Sequence, residues 1–245
     1  MSLNIGDTIS TGAEKLTTTA GLQLGALYVI AVLLTGIGSQ TISTALAPSM
    51  SQPSGPALAL PIGAAGGVVL LLVGLILSAV LTVVVLRTVA HETAELDAIP
   101  AGVTKALPTT VLFLIIAGII QGILIGIGFV LLIVPGLFLL VSLYFTQVYI
   151  AVEGEGPLEA LSSSWGLSKG DRLPIFGLVV ILAVIGFLGT IVGEVVGIAS
   201  PLLGTLLSLA VSGFLTIFTS AALVDAYDQL SSEQESQEDL LQQPE

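Results

Sequence analysis

The chain has 245 residues, of which 54% are hydrophobic and only 9% charged, against roughly 25% charged residues in ordinary soluble domains. Seventeen acids oppose five bases, a formal charge of -12, and no basic stripe exists to neutralise phosphates, which excludes a nucleic-acid role. The absence of cysteine excludes disulfides, thiolate metal sites and a Cys nucleophile.

The opening MSLNIGDTISTGAEK carries Asp7 and Glu14 before its only base, Lys15, and lacks the charged-then-apolar design of a cleavable signal peptide. Residues 1–20 are expected to form a cytoplasmic segment, with the first span retained in the mature protein. Apolar runs of about 18 or more residues then recur, the length that a bilayer core roughly 30 Å thick requires. The first, 22–37, leads into a Ser, Pro and Gly-rich stretch without charge, expected to be a loop. The second, 61–86, opens on Pro61, a residue suited to the first helical turn.

A third run, 109–133, meets Val134-Pro135-Gly136, beyond which 137–152 is apolar again. The Pro-Gly pair predicts a hairpin of two spans broken there. The fifth run, 173–199, turns at Ser200-Pro201 into the sixth, 202–227, and the acidic Gln/Ser-rich residues 229–245 read as a disordered cytoplasmic tail. The fold class is therefore all-α, a polytopic bundle of six transmembrane helices over 21–228 with a short cytoplasmic interfacial helix.

Lys and Arg are retained on the cytoplasmic side, and all five bases agree on one orientation. Lys15 precedes the first span, Arg87 and Lys105 bracket the loop between the second and third, and Lys169 and Arg172 lie between the fourth and fifth. Both termini are thus expected in the cytoplasm, in a cell membrane. Tyr149, Trp165 and Tyr227 fall at the inner boundary, where amphipathic rings favour the headgroup layer. The acid excess points to a salt-rich host, because molar salt shortens the Debye length to roughly 3 Å and makes dense negative charge tolerable.

Gly118, Gly122 and Gly126 line one face of the third span, and Gly189, Gly193 and Gly197 one face of the fifth. Such small-xxx-small faces let membrane helices approach closely, and these two are expected to meet in a parallel crossing. Glu194 is the one acid well inside an apolar run. Burying it in hydrocarbon costs roughly 2.5 to 3.5 kcal/mol, so it should face a cavity, a partner or the outer surface. Gln121, beside a glycine face, has the chemistry to hydrogen-bond across helices. His91, Glu92, Glu95 and Asp97 cluster in one loop, but one imidazole falls short of the usual transition-metal donor set, so neither a metal nor a cofactor is expected.

The segment EGEGPLEALSSSWGLSKGDR, residues 153–172, predicts a short helix. Pro157 suits its first turn, Glu159 the positive end of its dipole and Lys169 the negative end, while Gly170 suits its stop. Leu158, Leu161 and Trp165 are expected on one face, laid on the inner interface or plugging the bundle. Ser162, Ser163 and Ser164 offer hydroxyls, but the sole His lies in another loop, so no nucleophile is expected.

The order Pro135-Gly136, an apolar helix, Glu153-Gly154, Ala160-Leu161, Ser164-Trp165, then Leu167 and Gly170 resembles the membrane domain of the glycerophosphoryl diester phosphodiesterase superfamily and its stand-alone six-helix relatives. The resemblance covers mainly residues 130–180 and implies a six-helix membrane fold. In some bacterial relatives a soluble domain after the membrane domain carries the catalytic residues. Fewer than twenty residues follow the sixth span here, so phosphodiesterase activity is not expected. The expected function is non-enzymatic, accessory or lipid-associated, with membrane lipids and a protein at the cytoplasmic loops as partners. The alternative is a small-solute or ion transporter or channel built around Glu194 and Gln121.

Overall fold

A computed structural model describes residues 3–46 and 58–242, and among them every regular element is helical. Six helical stretches are long and apolar enough to cross a membrane. In chain order the elements are α1 (Ile5–Thr17), α2 (Thr19–Leu46), α3 (Gly63–Val89), α4 (Leu107–Leu131), α5 (Ile133–Ser142), α6 (Thr146–Val148), α7 (Pro157–Leu167), α8 (Arg172–Ala199) and α9 (Pro201–Gln242). A 3₁₀ turn, Thr93–Glu95, lies in the α3–α4 loop, and a π-helical turn, Tyr149–Glu153, follows α6. The fold is all-α, with α5, α6 and the π turn together forming the fourth span.

Three antiparallel hairpins, α2–α3, α4–α5 and α8–α9, make the bundle, and α2 joins the first to the third by packing along α9. The three hairpins leave all five bases at one end of the bundle, and hydrogen bonds hold three of them there. Lys15 donates to the carbonyl of Val89, Arg87 to that of Lys105, and Arg172 to the hydroxyl of Ser142, the last residue of α5. The best-buried side chains gather towards this basic end, among them Val85, Leu86, Phe145, Ile175, Leu178 and Ile217. Towards the other end, at Val130 and Ile198, side chains are 87% exposed. In a chain of this hydropathy, such surface is a face for lipid rather than for water.

Several boundaries move from those expected. Helix α2 continues through the Ser/Thr stretch read as loop, because Thr41 and Thr44 return their hydroxyl protons to the carbonyls of Ile37 and Gln40 at 2.7 and 2.9 Å. The remainder of that loop, 47–57, lies outside the described residues. The turn of the α4–α5 hairpin falls at Leu132, which is extended (φ -164°, ψ 155°), so Pro135 and Gly136 belong to the first turn of α5 rather than to the break. A proline there lacks only an N–H that the helix start would leave unpaired.

Residues 1–20, expected as a plain segment, contain α1. Asn4 caps it, its side chain accepting the Asp7 N–H, and the Thr8, Gly12 and Lys15 face packs on α9. The tail read as disordered from 229 continues α9 as helix to Gln242. No Gly or Pro interrupts the chain from Phe214 to Gln242, and Glu, Gln and Leu are good helix formers. The Gln234 amide also donates to the Leu167 carbonyl at 3.2 Å.

The expected glycine crossing is also corrected. A Cβ on Gly118, Gly122 or Gly126 would meet nothing within 4 Å, so that face of α4 is open. The Gly189, Gly193 and Gly197 face of α8 packs instead on its antiparallel neighbour α9, against Val211, Ser208 and Gly204. A hairpin turn of one residue already holds α9 beside α8, so the nearest small face takes the contact. Other close approaches set α2 on α3, where a Cβ on Gly38 would strike the backbone of Leu71 and Gly67. Gly38→Ala is therefore expected to lower stability in detergent by about 1–3 kcal/mol, whereas Gly122→Ala should leave it within about 0.5 kcal/mol; thermal unfolding of both variants measures the contrast.

Candidate functional site

The fourth span is discontinuous, and the sequence motif around Ser164 is built to repair it. Beyond α5 the chain passes through Leu143, Tyr144 and Phe145 in non-helical conformation before α6 resumes it. The Phe145 N–H donates to Ser164 Oγ at 3.1 Å, and the same hydroxyl donates to the Ser142 carbonyl at 3.1 Å. Gln121 Nε2 donates across from α4 to the Leu143 carbonyl at 3.0 Å. Arg172 Nε reaches Ser142 Oγ at 3.1 Å, while the Ser168 hydroxyl donates at 2.8 Å to the Ser164 carbonyl. Backbone groups that leave a helix inside a membrane need partners of this kind, because hydrocarbon supplies none.

Helix α7 delivers these hydroxyls. Pro157 stands in its first turn, Gly156 is its N-cap, and Gly170 at φ 113° lies in the turn that ends the segment. Its buried face is Ala160, Leu161, Ser164 and Leu167. Leu158 is 71% exposed and Trp165 39%, so the single face expected from Leu158, Leu161 and Trp165 is corrected: the helix plugs the bundle with the first set. Trp165 turns outward beside Phe138, with ring centroids 5.3 Å apart and edge to face, and the Arg172 guanidinium lies over both rings at 5.2 and 4.5 Å.

Next to this brace, the end of α3, the α3–α4 loop and the π turn enclose a hollow of about 690 Å³. Arg87 spans its base. Nε donates to the Ala151 carbonyl at 2.6 Å, Nη1 to the carbonyls of Val103 and Lys105 at 3.0 and 2.5 Å, and Nη2 to Thr110 Oγ1 at 3.0 Å. His91 Nδ1 lies 2.8 Å from the Arg87 carbonyl, an acceptor, and so carries the proton. Lys105, exposed, and Glu153 also line the hollow. Three residues of positive φ shape its wall: Gly102 (93°), Gly154 (79°) and Ala106 (53°), the last the only such non-glycine among the described residues. A non-glycine left-handed residue costs about 1–3 kcal/mol, which the surrounding structure must offset.

The acids at this end are individually placed. Glu153 accepts the Tyr227 hydroxyl at 3.0 Å, and Tyr149 meets the Tyr227 ring edge to face at 5.2 Å. Glu155 accepts from Ser163 at 3.1 Å through one oxygen, while the other is buried without a partner. Burial pushes its carboxyl above the usual range, the Ser163 hydrogen bond opposes this, and the charges of Glu159 and Glu153 add to it. Burial lowers the Lys15 ammonium, against the opposing pull of Asp228 and Asp225.

Glu194, the carboxylate singled out in the sequence, stands far from all of this. It is exposed, in a groove of about 450 Å³ between α8 and α9 at the end opposite the bases, beside Thr205, Ser208 and Ser212. Gln121 and Glu194 are thus not brought together. The Arg87 hollow and the break in the fourth span were missed in the sequence, although Ser142, Gln147 and Ser164 within or beside apolar runs signalled local polarity. Ser164→Ala should leave the Phe145 N–H and Ser142 carbonyl unpaired, lowering stability by about 1–3 kcal/mol. Ser162→Ala, on the exposed side of α7, should not; paired thermal unfolding curves in one detergent check this.

Comparison with known proteins adds a family and no activity. No curated protein and no solved structure matches the chain significantly. A family model described as a domain of unknown function, DUF7847, matches residues 3–230, which takes in α1, the first five spans, most of the sixth and the hollow. This helical chain, with its six stretches long and apolar enough to cross a membrane, belongs to the DUF7847 family.

Proposed function

We propose that the chain is a non-enzymatic, lipid-associated accessory protein of the cell membrane, with both termini and the Arg87 hollow on the cytoplasmic side. The observation that carries this reading is where the polar groups are used. Ser164, Ser168, Gln121 and Arg172 all act on the fourth span itself, whereas the hollow lined by Arg87 and Lys105 opens at the helix ends, between α3 and α4. The order of residues around Pro135 and Trp165 supports kinship with the phosphodiesterase-associated membrane domain, and the acidic exposed segments support a salt-rich host. A protein partner at the cytoplasmic loops fits the same reading.

A second reading, transport, is favoured by one observation: Glu194 lies exposed in a groove lined by hydroxyls. Length argues against it. Helix α8 has 28 residues, and at about 1.5 Å per residue a hydrocarbon layer roughly 30 Å thick is crossed some twenty residues from Arg172. Glu194 then falls at the outer boundary, within reach of water.

The native chain lacks cysteine, so topology is directly testable. Single cysteines replacing Ser51 and Ser231 are expected to react with impermeant reagents from opposite sides, Ser51→Cys from outside; labelling of both from outside sinks the six-span topology. Ligand-dependent thermal stability separates the two functions, since a ligand specific to the folded state raises the unfolding temperature by mass action. Lipids are expected to stabilise wild type and Glu194→Gln alike. A soluble ion or solute whose stabilisation vanishes in Glu194→Gln would establish the transport reading instead.

A further inference from the structure

We infer that the hollow between the α3 terminus, the α3–α4 loop and the π turn is a binding site for the phosphate of an anionic membrane lipid headgroup. The inference rests on the lipid-associated reading and assigns it a site and a chemistry. Arg87 is the first argument. Its partners are three carbonyls and one hydroxyl, which fix the guanidinium plane but leave its charge uncompensated. Lys105, exposed on the rim, has no side-chain partner among the described residues. The one acid in the lining, Glu153, already accepts a hydrogen bond from the Tyr227 hydroxyl. Arg87 and Lys105 against Glu153 leave a net positive wall in a chain whose formal charge is -12.

Shape is the second argument. A hollow of about 690 Å³ lies within the roughly 300–1,000 Å³ of small-molecule sites, large enough for a headgroup and too small for a whole diacyl lipid. Its remaining wall is largely apolar, with Ala90, Ala101 and Val152, which suits the glycerol backbone where it leaves the phosphate. Helix α4 begins directly after the Lys105-Ala106 rim and exposes Leu112, Ile115 and Ile119. An acyl chain descending from the hollow would lie along that surface and over the open face at Gly118 and Gly122, where nothing of the protein stands. Basic pockets at the ends of membrane helices have this use, each base adding about 1 kcal/mol to the attraction of an anionic headgroup.

The test uses the purified full chain in a neutral detergent, with phosphatidylglycerol and phosphatidylcholine of identical acyl chains, and with inorganic phosphate. Bound ligand is counted by native mass spectrometry, and thermal unfolding runs alongside. Phosphatidylglycerol is expected to bind more tightly than phosphatidylcholine, and Lys105→Gln to weaken it about fivefold, the equivalent of about 1 kcal/mol, without changing phosphatidylcholine binding or lipid-free unfolding. Arg87→Lys should weaken it further, and the exposed Lys105 variant keeps the test valid if Arg87→Lys fails to fold. Equal binding of the two lipids, or an unchanged phosphatidylglycerol affinity in Lys105→Gln, would overturn the site while leaving lipid association standing. Stabilisation by neither lipid would remove that broader reading as well. Inorganic phosphate binding as tightly as phosphatidylglycerol, and lost in Lys105→Gln, would overturn the lipid source in favour of a soluble phosphate.

Discussion

Hydrocarbon offers no partner to a backbone amide, and the fourth span of this bundle departs from helical geometry before it reaches the boundary. An unpaired peptide group there costs several kcal/mol, so the break exists only because other elements supply polar atoms. One hydroxyl, Ser164 Oγ, takes the Phe145 N–H and serves the Ser142 carbonyl at once. This requires α7 to pack into the bundle with its Ala160, Leu161 and Ser164 face buried, which in turn requires the chain to turn at Gly154, where φ is 79°, and to start α7 at Pro157. The tightest part of the core, the position of Trp165 and the start of α8 all follow from that one repair.

Arg87 plays a corresponding part for the neighbouring loop. A guanidinium holds its donors in a rigid plane, and here that plane gathers the carbonyls of Ala151, Val103 and Lys105 around the end of α3. Lysine could not reproduce the arrangement, since a point charge with rotatable donors sets no fixed angle between acceptors. The π turn and the α3–α4 loop are therefore held to a common anchor, and the hollow between them is a consequence of their being tied at its base. Ala106 in left-handed conformation fits the same picture, because a loop free to relax would not retain that geometry.

Hydropathy made the six spans legible because apolar length is a one-dimensional property, read along the chain without knowing neighbours. The features missed are those that depend on a neighbour. Helix α1 owes its placement to α9, where Asn4 and Thr8 both meet Gln229. The break near Phe145 lies in a run that hydropathy reads as one span, and is signalled only by Ser142, Gln147 and Ser164, the last nineteen residues beyond Phe145. Glycine spacing identified a real contact face on α8 but assigned it to the wrong partner, since spacing gives a face and says nothing of which helix stands opposite. The extended α9 shows the reverse error: polar composition was read as disorder where uninterrupted helix formers and one amide contact sustain a helix.

The two ends of the bundle carry charge under different conditions. At the end opposite the bases Glu194 is exposed, about twenty residues of helix beyond Arg172; that length matches a hydrocarbon layer roughly 30 Å thick, at whose edge little of the roughly 2.5 to 3.5 kcal/mol insertion cost of a carboxylate is incurred. At the basic end Arg87 is half-buried, and its four oxygen partners satisfy geometry without supplying a counter-charge. A fixed charge without its opposite, set in a wall of low polarity, attracts an anion more strongly than one dispersed in water does. The asymmetry leaves a net positive wall at the end where the chain has its few bases, although acids outnumber them seventeen to five.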